Sequence, residues 1–264
     1  MSLPLIAVRE VYFLSVLQLF GVLNFDLWFG GARSRRIVAA LVVIALLGSL
    51  AWLVLVATDT TGQPPSLTAT TMILTDTRFG ELWLARAVLL FLIAISPWRA
   101  GSAVLAGLAL SLTAAAGHAG AEDNPLQFGG DVIHLLAAGA WLGGLIPFAL
   151  AMRRDDGDVV ARRFSTLGTV CVGLIVVTGA MNSWYLVGGP RNLIDTDYGR
   201  VLLAKLALFA VLLAAAAVNR FRLTPRGDAG ALRRNALIET ALGIFIVTIV
   251  AVLGTMAPGY HGAG

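Results

Sequence analysis

An all-α membrane protein, a polytopic bundle of about eight transmembrane helices with both termini outside, is the fold predicted by three features of the sequence. Hydrophobic residues fill 58% and charged residues only 13% of the 264 positions, a balance that an aqueous surface cannot accommodate and that lipid can. The apolar residues fall in long runs separated by short polar stretches, and a helix needs about 20 such residues to cross the hydrocarbon. Arginines crowd into alternate stretches between the runs, as they do in cytoplasmic loops. Eight spans of this length consume the chain, so residues 1–264 read as a single transmembrane domain. No room is left for a separate catalytic domain, and no enzyme activity is expected.

The first span is placed at residues 5–29. It has neither a basic leader nor a small-residue cleavage site, so it reads as a retained helix and not as a signal peptide. Gln18, Asn24 and Asp26 give it a polar stripe toward the cytoplasm. The second span is 37–57. The third, 81–95, is short, with Phe79-Gly80 and Pro97-Trp98 at its interfaces, and the fourth is 102–118. The fifth runs 131–152, the sixth 164–187, the seventh 200–218 and the eighth 235–256. Cys171 falls inside the sixth with no second cysteine to pair with, and reads as a small packing residue.

Orientation follows from the basic residues. One set of loops holds Arg33, Arg35 and Arg36, then Arg99, then Arg153, Arg154, Arg162 and Arg163, then Arg220, Arg222, Arg226, Arg233 and Arg234. The opposite set holds Arg78, Arg191 and Arg200 and faces outward. The net charge of +4 is thereby explained by loops lying on anionic lipid, with no nucleic acid partner. Two outer loops are long: 58–80, which could hold a short interfacial helix, and 190–199, which carries Asp195, Asp197 and Tyr198.

Ionisable groups inside such spans are functional candidates by default. All three histidines, His118, His134 and His261, fall on the outer side, the first two on adjacent antiparallel helices. At ~1.5 Å per residue, His134 lies roughly 5 Å below Asp131, where its helix is placed to begin. Imidazole suits copper, zinc and iron, whereas thioether sulfur selects monovalent copper. Met72, Met181 and Met256, all on the outer half, therefore favour Cu(I) as the ion, against the plainer alternative that both residue types only pack. Arg86 and Lys205 lie in the third and seventh spans, where Glu81, Asp195 or Asp197 could neutralise them or their side chains could snorkel. Asn182 could be a ligand or an interhelical hydrogen bond. Glu239 could be an exit-side acid on a transport path or an ion-pair partner of Arg163 or Arg220. Trp141 shares a helix face with His134, while Ala138, Gly139 and Gly143 allow close backbone approach, which makes the fifth span central.

The string from His134 through Trp141 to Leu145, preceded by Gly117-His118-Ala119, resembles the signature of the copper-resistance protein D (CopD/PcoD) membrane family. Further matches are Thr77-Arg78-Phe79-Gly80 before Trp83 and Arg86, Arg163-Phe164-Ser165, Tyr198-Gly199-Arg200 with Lys205, Asn219-Arg220, and the helix of Glu239. The resemblance implies a bacterial inner-membrane protein that takes copper from the periplasm toward the cytoplasm, with copper-linked positions at His118 and His134. It also implies work beside a small periplasmic CopC-like copper-binding protein, which here would be a separate chain. A histidine of the family's first span falls on Tyr12, so a three-histidine site is not expected. Two other functions remain open at this stage: a b-type haem or quinone-linked electron carrier using the two histidines as axial ligands, and a copper-binding or assembly subunit that does not transport.

Overall fold

The computed structural model describes residues 2–31, 35–62, 64–116 and 124–259. These residues form an all-α polytopic membrane protein. Six stretches are long and apolar enough to cross a bilayer: Leu3–Phe29, Arg35–Thr61, Pro125–Ala151, Gly157–Val187, Asp197–Arg226 and Ala229–Leu253. Arg99–Ala115 is a shorter apolar helix, and Arg78–Ile95 runs beside it. In chain order the helices are α1 (Leu3–Phe29), α2 (Arg35–Thr61), α3 (Leu67–Asp76), α4 (Arg78–Ile95), α5 (Arg99–Ala115), α6 (Pro125–Leu142), α7 (Leu145–Ala151), α8 (Gly157–Val187), α9 (Asn192–Asp195) and α10 (Asp197–Val218). A π-helical turn, Asn219–Leu223, leads into α11 (Thr224–Arg226), and α12 (Ala229–Leu253) follows.

Local chemistry sets the ends. Ser66, Thr77, Asn124, Thr196 and Asp228 each accept a backbone N–H of the helix they precede, and Pro125 occupies the first turn of α6, where no N–H is missed. Gly188, at φ 73°, closes α8 in a left-handed conformation that a side chain would disfavour. Several spans are longer than predicted: the fifth begins at Pro125, behind the Asn124 cap, the sixth begins at Gly157 and the second runs to Thr61. The eighth ends earlier than expected, at Leu253. The loop 58–80 contains α3 as its short helix.

Helix α1 packs against α2, α5, α6, α7 and α12, and α6 packs against α1, α5, α8 and α12. These two helices join α2, α4 and α5 on one side to α8, α10 and α12 on the other. The outer faces remain apolar: Leu47, Phe91, Val104, Val177 and Phe245 are all exposed, as helices surrounded by lipid require. The fifth span is not one helix. It turns at Gly143 and Gly144 and resumes as α7, because α1 crosses there with backbone on backbone. A Cβ on Gly21 would fall on the main chain of Gly143, and Gln18 Nε2 donates to the Gly143 carbonyl at 2.8 Å, satisfying an acceptor that the break exposes.

Trp141 is buried in the central core, with its indole against Gly168 of α8. Trp141→Ala leaves a cavity at this junction and should cost about 3–5 kcal/mol, read as a lower unfolding midpoint in detergent. An unchanged midpoint would show that this face of α6 is not packed.

Candidate metal centre on α6, α8 and α10

Near the end of the bundle where it begins, α6 carries Asp131 and His134 one turn apart on one face. His134 Nδ1 lies 3.0 Å from Thr178 Oγ1 on α8, and that hydroxyl donates to the Leu174 carbonyl at 2.6 Å. A hydroxyl has one hydrogen. With it committed to Leu174, Thr178 is left to accept from the ring, an arrangement that favours the proton on Nδ1 and the lone pair on Nε2. The ring edge rests on Gly179, where no Cβ intervenes.

A turn further along α8, Asn182 donates through Nδ2 to Asp131 Oδ1. Its own Oδ1 is buried without a hydrogen-bond partner among the described residues. Beside it, the Met181 thioether methyl occupies the space that a side chain on Gly130 would need, so this sulfur lies against α6 next to Asp131. From α10, Lys205 interacts electrostatically with both Asp131 and His134, and Tyr198 with Asp131. Three helices thus converge an imidazole, a carboxylate, a thioether, an amide, an ammonium and a phenol.

Of the residues singled out in the sequence, this cluster brings together His134, Met181, Asn182 and Lys205. Asp131 and Thr178 are additions: Asp131 was read only as the start of a helix, although its spacing of three from His134 placed it on the same face. Met256 packs near Tyr198 and Leu202 at the same end of the bundle. Met72 is 45% exposed on α3, which packs on α2 and α4, away from the cluster. His118 and His261 lie outside the described residues. Among the described residues, no group of three or more His, Cys, Asp and Glu is arranged to hold a metal ion.

The remaining candidates sit elsewhere. Arg86, 1% exposed, is not paired with Glu81, Asp195 or Asp197. Its guanidinium lies 5.3 Å from the ring centroids of Tyr12 and Trp52 and 5.8 Å from that of Phe79, an aromatic cage that attracts a cation without a counter-charge. Tyr12 itself hydrogen-bonds Thr113 at 3.3 Å. Lys205 likewise finds its opposite charge in Asp131 and not in the loop acids. Glu239, 1% exposed, accepts from Asn219 at 2.5 Å and Asn235 at 3.2 Å. The expected arginine partners are engaged otherwise, Arg163 with the Trp28 carbonyl and Arg220 with Ser165. Trp141 lies about two turns further along α6 than His134.

Removing the amide of Asn182 leaves the Asp131 carboxylate without its interhelical donor. Asn182→Leu should cost about 1–3 kcal/mol of stability while helix content is retained, checked by thermal unfolding followed by circular dichroism.

A bundle of membrane-crossing helices enclosing a cluster of polar ligand-type side chains near one end defines a polytopic α-helical membrane protein. The family model for the copper resistance protein D-like N-terminal domain matches residues 1–128, and that for copper resistance protein D matches residues 158–253. The chain is 30% identical to copper resistance protein D of Pseudomonas syringae pv. tomato, with 96% of each chain covered. It is 26% identical to the inner membrane protein YebZ of Escherichia coli (strain K12), over 96% of this chain and 98% of that one. It is also 29% identical to the copper transport protein CutJ of Bacillus subtilis (strain 168), over 69% of this chain and 37% of that one. No solved structure matches the chain. The protein belongs to the copper resistance protein D family and is a copper-related membrane protein.

Proposed function

We propose that the protein takes monovalent copper at the outer face of the bacterial inner membrane and passes it toward the cytoplasm. The observation that carries this reading is the His134 imidazole, oriented by the Thr178 hydroxyl, with the Met181 thioether about one turn along α8 from Thr178 and against Gly130 of α6. Nitrogen and thioether sulfur together suit Cu(I) better than zinc or a hard cation. Asp131 would offset the added positive charge near Lys205, and Asn182, already bonded to Asp131, would couple ion binding on α6 to the position of α8. His118 completes the imidazole pair in this proposal. Deeper in the bundle, the Glu239 carboxylate with Asn219 and Asn235 is the polar group available for onward passage toward the inner side, while Trp141 packs between the two levels. A separate periplasmic CopC-like protein is the proposed donor of the ion.

The test is uptake of Cu(I) into proteoliposomes containing the wild-type protein or the His118→Ala and His134→Ala variants. Copper-dependent uptake by the wild type and its loss in both variants is expected. Tight binding without any uptake by the wild type would make the protein a copper-binding subunit and overturn transport.

A further inference from the structure

The end of the bundle opposite the histidine cluster carries a polar groove. A groove between α8 and the π-helical turn is lined by Arg162, Ser165 and Thr166 on one side and by Arg220, Phe221 and Thr224 on the other. We propose that this groove is a site for the phosphate of an anionic glycerophospholipid, with the acyl chains running along the apolar face of α8.

Depth is the first ground. At ~1.5 Å per residue, the 31 residues of α8 extend over roughly 47 Å, well beyond the ~30 Å hydrocarbon core. The first turns of α8, which carry Arg162, therefore reach the headgroup layer, with Ser165 and Thr166 one turn further in, at its border. Beyond them, Val170, Leu174 and Val177 are exposed apolar residues of the same helix, a surface for acyl chains.

Charge is the second. The ion pairs among the described residues are Arg99 with Asp26, Arg154 with Asp156 and Arg200 with Asp197, so neither Arg162 nor Arg220 is paired with an acid there. The nearest acid on α8, Asp158, lies beside Gly227. Arg220 Nη1 donates to Ser165 Oγ at 3.0 Å, which ties the guanidinium to α8 and leaves the Ser165 hydrogen free for a phosphate oxygen. Two guanidiniums and a serine hydroxyl present a donor set matched to a phosphodiester, and guanidinium binds such oxygens in pairs.

The backbone supplies the third. Pro225 has no N–H to offer the Phe221 carbonyl, and the chain widens ahead of it, with the Thr224 N–H bonding the Asn219 carbonyl in the π pattern. The widened turn aims Arg220 at α8 and leaves Phe221 74% exposed, beside the groove and available to an acyl chain. Free phosphate would have no use for that apolar rim, so the lipid is the occupant. Basic pockets between membrane helices commonly hold anionic headgroups.

The experiment uses purified full-length protein in detergent, with phosphatidylglycerol, phosphatidylcholine or inorganic phosphate added, and reads the unfolding midpoint together with lipid adducts by native mass spectrometry. Phosphatidylglycerol should raise the midpoint and give a retained adduct, and phosphatidylcholine should do neither. The double variant Arg162→Gln/Arg220→Gln should lose both effects, whereas Arg191→Gln, beyond the far end of α8, should keep them. If the double variant does not fold, the single variants Arg162→Gln and Arg220→Gln should each weaken the adduct, and Arg220→Lys should restore part of it. An undiminished phosphatidylglycerol effect in the arginine variants, an equal effect of phosphatidylcholine, or the same shift from inorganic phosphate alone would each overturn the proposal.

Discussion

His134→Ala is expected to abolish copper binding at the outer face while leaving the helical bundle intact. A supporting residue around a metal typically contributes 10–100-fold in affinity, so loss of the ligating nitrogen itself should exceed about 100-fold. The fold should survive because the ring rests on Gly179 and bonds a Thr178 hydroxyl that also has the Leu174 carbonyl; no buried group is left without a partner when the imidazole is removed. Copper stoichiometry measured on the purified variant checks this. Unchanged stoichiometry would remove His134 from the site. Thr178→Val provides the graded case: without the hydroxyl acceptor the Nδ1 tautomer is no longer enforced, and affinity should fall by the roughly 10–100-fold expected of a supporting residue.

Gly21→Val is expected to have the largest effect on stability. Ordinary overpacking costs about 1–3 kcal/mol, because side chains can shift. Here the added Cβ would meet the backbone of Gly143, at the point where α6 breaks into α7 and Gln18 caps the exposed carbonyl. Relief requires moving α1 away from α6, the two helices that join the two sides of the bundle. The cost should exceed about 5 kcal/mol, the lower end of what holds a typical domain folded, and the variant should fail to give a monodisperse species in detergent. Wild-type elution and melting would show that the crossing is looser than described. Gly143→Ala probes the same contact from the other helix, and should be disruptive for the same reason.

The helical fold could be read from hydropathy because lipid forces every backbone hydrogen bond into the helix itself. The break at Gly143 and Gly144 could not: glycines are common in membrane helices, and a hydropathy profile is blind to a turn that stays within the apolar layer. The partner of Glu239 was misjudged for a related reason. Opposite charge suggested arginine, yet the inward face of α12 meets Asn219 and carries Asn235 one turn away, and two amides supply donors without burying a second charge. Asn235, four residues before Glu239, was within reach of the sequence; Asn219 depended on how α10 and α12 pack. For Arg86 the sequence offered an acid partner or snorkelling and not its aromatic cage, because the cage is assembled from Tyr12, Trp52 and Phe79 on three separate segments. Within the metal centre, His134 and Met181 stood out by residue type, and Asn182 as a polar residue in lipid. Asp131 and Thr178 acquire their roles only from the facing of α6 and α8.

The most direct measurement of the central claim is the copper-edge X-ray absorption spectrum of protein loaded with Cu(I) in reducing detergent solution. The account predicts a monovalent edge with imidazole nitrogen and thioether sulfur in the coordination shell. The imidazole contribution should fall in His134→Ala and the sulfur contribution in Met181→Leu. Copper bound with no imidazole scattering, or a spectrum identical in the wild type and His134→Ala, would contradict it.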